Sequence, residues 1–443
     1  MALRAHNVVL AAAFLAVPAP LVAQDPATVR LSFAEAVRRV TSPEAPPVVA
    51  IAGLRTDEAQ SRVTQARAGL LPNLALNGFW ANRTFSPKAQ GFSFPGLPTI
   101  IGPFNVYDGR VQFRQTLFDF SNLGRLSAAK RQLTASRADR SATVEASAQS
   151  VAIAYAHASR SQAVVAARRA DSALAAEFVA LAVAQQQAGV SASIDVTRAR
   201  VQLAESAGRL ILATSQLERA KIDLSRTLGV DPNIAIVLTD TIGTELGAAD
   251  VPADRDAAVA QAMVTRPDLA AEITRGAAAR TAASAISAER LPRLDLQADM
   301  GLSGTRPEDM INTRQVAVQV TWPILDGLRR EGRLAEQKAV ARASEVRAKD
   351  LRQQVTADVD GALLDLRSAA AQQMITRERL QLAAEEVSQA RQRFEAGVAG
   401  SIEVINAQES LVRAREADID ARFAALAARI ALARSVGSAH TLH

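Results

Sequence analysis

No cysteine occurs among the 443 residues. That excludes a disulfide, a thiolate metal site, a cysteine nucleophile and a lipid-modified amino-terminal cysteine, so the fold must hold by packing alone. Aromatic residues are nearly as scarce, 4% of a chain that is 49% hydrophobic, and alanine takes their place. A core of such small side chains works only through close contact. Histidine is limited to His6, His157, His440 and His443, with no metal-ligand spacing, and no glycine-rich phosphate loop is present. No catalytic constellation stands out, so the reading is of a protein that is not an enzyme and needs neither cofactor nor metal. After VVLAAAFLAV (8–17), no stretch reaches the roughly 18 apolar residues of a membrane helix. The formal charge is +6, but basic residues are spread among acidic ones along helical patterns, which reads as a solvated helix surface with no nucleic acid as partner.

What is present begins with an export signal. Arg4 precedes the apolar run, and proline and small residues follow it, which is the three-part pattern of a signal peptide over 1–23 with cleavage near Ala23. The rest is written twice. AGVSASIDV (188–196) returns as AGVAGSIEV (396–404), Gly124-Arg125-Leu126 as Gly332-Arg333-Leu334, and Gly229 as Gly437, always at an offset of 208. Upstream, Pro47 matches Pro267 and LPNLAL (71–76) matches LPRLDL (291–296) at 220, which places 12 extra residues between the strand candidates of the first copy. The first repeat is set at 24–230 and the second at 255–437, with a linking segment at 231–254 that breaks the helical period and is expected to form a belt around the bundle's middle. A short tail, 438–443, is expected to be disordered.

Residues 125–188 contain neither proline nor glycine, and 333–396 contain only Gly361. These predict long helices over 124–188 and 333–396, each about 96 Å at about 1.5 Å per residue. Shorter helices are predicted at 47–71 and 190–228, and again at 267–291 and 398–436. Stacked end to end, each short pair matches the length of its long neighbour. Leu203, Leu210, Leu217 and Leu224 lie seven apart, as do Ala407, Ala414, Ala421 and Ala428, a spacing that makes coiled-coil seams.

Between the helices, the pattern changes to alternation. In hairpin 293–322, Leu294, Leu296, Ala298 and Met300 oppose Asp295, Gln297 and Asp299, and Val316, Val318, Val320 and Trp322 oppose Ala317, Gln319 and Thr321. In hairpin 73–117, Leu74, Leu76 and Trp80 oppose Asn73, Asn77 and Phe79, with Val111, Phe113 and Leu117 opposing Gln112, Arg114 and Thr116. Ten-residue strands with one apolar and one polar face suit a membrane barrel, and ten of the 17 aromatics lie between Phe79 and Phe120, where a lipid interface wants them. Four strands are too few to close a barrel, and an open edge does not survive in hydrocarbon, so copies of the chain must share one. The competing reading is an exported coiled-coil scaffold whose strands merely cap the bundle.

The signal peptide, the doubled order of helix, hairpin, long helix, tight turn and return helix, and the sequence TRPDL (265–269) opening a helix that leads to LPRLDL together resemble the outer membrane efflux protein family, the TolC-like exit ducts. The resemblance runs from about Leu31 to Gly437. It implies a mainly α fold with a small β part: long antiparallel coiled-coil hairpins, and four strands given to a trimeric transmembrane β-barrel in the outer membrane. It also implies a passive duct across periplasm and outer membrane, serving an inner-membrane transporter through a periplasmic adaptor, in efflux or type I secretion. The lipid-anchored members differ in having the cysteine that this chain lacks. By the same resemblance the turns at Ala188, Gly189, Val190 and at Ala396, Gly397, Val398 form the periplasmic tip where the adaptor docks. Asp195 and Glu403, one turn into each return helix, would ring a gate constriction. A second acidic step of the family falls on Asn406, which is uncharged here.

Overall fold

The computed structural model describes residues 28–443 except 93, 94, 97, 244, 245, 248–250 and 253. The signal segment therefore lies outside the described residues. The first copy runs β1 (Thr28–Leu31), α1 (Phe33–Arg39), α2 (Pro47–Ala68), β2 (Asn73–Phe85), β3 (Ile101–Phe118), α3 (Phe120–Gln187) and α4 (Ser193–Leu228). After β4 (Ala235–Leu238) the second runs α5 (Arg255–Thr265), α6 (Pro267–Ala288), β5 (Arg293–Gly304), β6 (Ile311–Thr321), α7 (Arg329–Glu395) and α8 (Ser401–Ser435).

The long helices α3 and α7 have 68 and 67 residues. Each starts about four residues before the expected point. For α3 the reason is Asp119, whose Oδ1 accepts from the Ser121 and Asn122 amides at 2.8 and 3.3 Å and caps the first turn. The short helices do stack. A left-handed glycine ends each return helix, Gly229 at φ 71° and Gly437 at φ 77°, and each lies against the proline-led start of the other short helix in its column. A β-carbon on Gly229 would sit 2.6 Å from Pro47 Cδ, and one on Gly437 would sit 3.3 Å from Arg266 Cα.

Packing sets a lateral order. The α4/α2 column lies along α3, α3 lies along the α8/α6 column, and that column lies along α7. The strands repeat this order, β2-β3-β5-β6, all antiparallel. Each strand thus continues the helix column of its own position. The alanine seam explains how helices come so close: Ala407, Ala414, Ala421 and Ala428 are all buried. At the strand end of the bundle, Gly124 leaves room for Ala285, whose Cβ would be 2.6 Å from any added methyl.

Two features depart from the sequence reading. The tail 438–443 is not disordered: Leu442 is only 2% exposed, the Ala439 amide donates to Glu145 Oε2 at 2.7 Å, and His440 contacts the same carboxylate. Its apolar residues complete a core at mid-height, where Phe33, Val37, Tyr155, Leu224 and Ile430 meet. The second is α5, a helix not anticipated at 255–265. Asp254 caps it by accepting from Ala257, and Ala258 and Ala262 bury against Val355 and Val359 of α7. In the core that the tail completes, β4 from the linking segment pairs in parallel with β1, and the Tyr155 hydroxyl, pushed well up by burial, donates to Leu31 O at 3.1 Å.

Register sorts the four-stranded sheet into two faces. Leu74, Phe113, Ala298 and Val316 stand in one row, and Leu76, Val111 and Met300 in the next. This face is apolar and uncovered, with Leu76 81% and Val316 74% exposed. The opposite face carries Arg110 between Asp108 and Asp299, and the Gln297–Gln319 amide pair at 2.8 Å. Arg314 shares the apolar face opposite Met300, but near the loop end of β6, where a basic residue costs little. Among the described residues, no helix is long and apolar enough to cross a membrane.

Candidate functional site

The far end of the bundle is made by two turns of the same construction. Helix α3 ends at Ala188, Gly189 takes φ 75°, and the Gly189 and Val190 amides return to Gln186 O and Gln185 O, both at 3.0 Å. Helix α7 ends at Ala396, Gly397 takes φ 71°, and the Gly397 and Val398 amides return to Phe394 O and Arg393 O at the same distance. This is the hydrogen-bonded glycine exit from a helix, and it explains why AG recurs. Glycine is required by conformation more than by crowding: nothing lies within 4 Å of a β-carbon on Gly189, while at Gly397 the neighbour is Val190 Cγ1, at 3.1 Å. Val190 and Val398 are left exposed at the extremity.

The two acidic residues occupy matching positions but hold different partners. Asp195 accepts from the Ser401 hydroxyl at the start of α8 and from the Ser191 hydroxyl at 2.9 Å, with the Ala192 amide at 3.3 Å. It ties one hairpin to the other. The Ser401 hydroxyl first, then the Ser191 hydroxyl and the backbone amides, hold its carboxyl below the usual aspartate value. Glu403 instead meets Arg393 of its own hairpin at 2.9 Å, and both are substantially exposed. Asn406 is exposed three residues further along α8.

Several tip contacts were not legible as sites. Ser401 is fully buried, Gln185 donates to Glu395 O at 3.1 Å across the hairpins, and the Phe178 and Phe394 rings meet edge to face at 5.3 Å. Phe178 and Phe394 carried a signal, being rare aromatics near matching turns. Above them lies a polar layer inside the bundle. Glu409 accepts from Gln202 at 2.6 Å and from both arms of Arg209, at 2.7 and 3.2 Å. That contact raises the arginine and lowers the glutamate from their ordinary values. Asp171 is held in turn by Arg168 and Arg415. Such groups are costly to bury unless paired, and here they fix the register of α3, α4 and α8. They are positioning contacts. Among the described residues, no group of side chains is arranged to hold a metal ion.

The comparisons agree with this architecture. The family described as "Outer membrane efflux protein" matches residues 44–230 and 258–438. No curated protein matches the sequence. Among solved structures, the outer membrane protein VceC of Vibrio cholerae is similar at 19% identity and a TM-score of 0.75, covering 91% of this chain and 96% of that one. The CmeC outer membrane channel of Campylobacter jejuni is similar at 14% identity and 0.77, covering 92% and 86%. The open state of the MtrE outer membrane channel of Neisseria gonorrhoeae is similar at 17% and 0.73, covering 92% and 89%. At these identities the structures speak for the fold, whereas the family match spans both copies; the chain belongs to the outer membrane efflux protein family.

Proposed function

We propose that three copies of this chain form a passive exit duct, a β-barrel in the outer membrane continued by a helical tunnel through the periplasm. The observation that carries the reading is the shared lateral order of strands and helix columns, with an open flank on each side. One flank is β2 above α2/α4, the other β6 above α7. Both helical flanks expose apolar side chains, Ile211 and Leu212 on α4 and Met374 and Ile375 on α7. An unpaired strand edge is not tolerated in lipid, so the edges must meet those of other copies, and a cyclic assembly satisfies both at once. The polar sheet face then lines the lumen.

Within this reading the turns Ala188-Gly189-Val190 and Ala396-Gly397-Val398 are the docking surface for a periplasmic adaptor, which couples the duct to an inner-membrane transporter. The exposed valines supply the apolar contacts. Asp195, Glu403 and Asn406 belong to the gate at the same end, and no chemistry is catalysed. The test is single-channel recording of the detergent-purified chain in a planar lipid bilayer. Discrete, reproducible conductance steps are expected; folded protein that never inserts would return the chain to the scaffold reading.

A further inference from the structure

Where the sheet meets the bundle, the chain forms a half-open cavity of about 460 Å³ whose wall carries five arginines against three carboxylates. Its floor is the first turns of α3 and α7 and the end of α6; its roof is the start of β5 and the end of β6. Arg293 and Thr321 face each other across β5 and β6 in the row that continues Asp295, Gln297 and Gln319. The cavity therefore lies under the polar face of the sheet.

The three carboxylates are already committed. Asp119 caps α3, Glu289 is shared by Arg125 and Arg333, and Asp326 accepts the Arg330 amide at 3.1 Å. The arginines are matched unequally: Arg293 Nε meets Asp295 Oδ2 at 3.3 Å, whereas Arg330 and Arg329 are short of acceptors. Arg330 is 4% exposed and donates one arm to Glu289 O at 3.1 Å, while its Nε has no hydrogen-bond partner. The nearest acidic oxygens to that Nε are 3.8 and 3.9 Å away. Arg329 is exposed beside it and has no acidic partner among the described residues. A buried guanidinium with an unfilled donor is costly, and planar forks of this kind are suited to carboxylate or phosphate oxygens.

We propose that this cavity is an oxyanion site opening on the lumen, and that it holds phosphate-type groups of solutes passing from tunnel to barrel. The proposal rests on the duct reading for the side from which the ligand arrives. It would give the channel a preference for anionic cargo at a level far from the tip.

The probe is inorganic pyrophosphate, added to wild-type channels in bilayers made only of phosphatidylcholine. Conductance in potassium chloride should fall with pyrophosphate concentration. The Arg329→Gln variant, whose changed side chain is exposed and outside every ion pair among the described residues, should show ordinary steps and need roughly tenfold more pyrophosphate for the same block, the loss of a charge-assisted contact. A wild type indifferent to pyrophosphate, or a variant blocked equally, would overturn the site. If no conductance steps appear at all, the duct reading fails by itself, and the cavity is still tested by melting the detergent-solubilised protein. Pyrophosphate stabilising the wild type but not the variant supports it, and no stabilisation of either overturns it. Stabilisation by phosphatidylglycerol micelles and not by pyrophosphate, lost in the variant, would assign the cavity to a lipid headgroup and overturn the lumenal solute.

Discussion

Asp195 is the tip side chain with most to lose from truncation. It accepts from two hydroxyls and from backbone amides, and it joins the two hairpins of one protomer. In Asp195→Ala the Ser401 hydroxyl would be left buried without its acceptor, a loss of about 1 to 3 kcal/mol. Glu403→Ala removes only an exposed ion pair within one hairpin, worth about 0 to 1 kcal/mol. Both should raise the resting conductance of the closed channel, Asp195→Ala by clearly more; equal effects, or none from Asp195→Ala, would remove the tie from the gate. Acid offers a second test. The Asp195 carboxyl is lowered from 3.8 in the folded protein, so its contribution is complete above that value and is lost as pH falls through the lowered one. Wild-type channels stepped from neutral pH to below 3.8 should open further, while Asp195→Ala channels should lack that component.

The glycines that end helices divide by their surroundings. Gly189 and Gly229 both have positive φ, but a methyl on Gly189 meets open space and one on Gly229 meets Pro47 at 2.6 Å. Gly189→Ala should cost about 1 kcal/mol, the backbone strain alone. Gly229→Ala should lower the melting temperature of the solubilised protein several-fold more, because α4 must also part from α2; similar shifts would mean that the stacking of the columns contributes little. The sequence carried these positions well, since a helix exit needs glycine whatever packs around it, and four matching glycines located four helix ends. Long proline-free runs located the long helices for the same local reason. What it did not carry was tertiary. Helix α5 has only Asp254 and a short alanine pair to announce it, and the polar tail SAHTLH is ordered because Leu442 and Ala439 find a core made by distant residues. At the tip, equal spacing suggested equal roles for Asp195 and Glu403, whereas which hydroxyl or guanidinium lies opposite depends on how the hairpins are offset.

At the scale of the molecule, one sheet with two open edges has to be completed by others. The protomer supplies β2 at one edge and β6 at the other, and each edge continues into a helical flank with exposed apolar residues. Head-to-tail contacts of this sort either close into a ring or run on as an open polymer, and only a ring leaves no edge in lipid. A chain without cysteine makes the distinction easy to read. Asn73→Cys, Ala75→Cys or Asn77→Cys on β2, each combined with Ala317→Cys on β6, puts thiols on the polar face at opposite edges, too far apart to join within one sheet. Since the register between copies is set by the barrel's stagger, one of the three pairings should come within disulfide reach, with β-carbons about 4 Å apart. Oxidation in membranes should then give linked dimers and trimers and stop there, because the third bond closes the ring. Monomers alone in every pairing would mean that β2 and β6 are not neighbours, and a ladder extending past the trimer would mean that the copies form an open assembly.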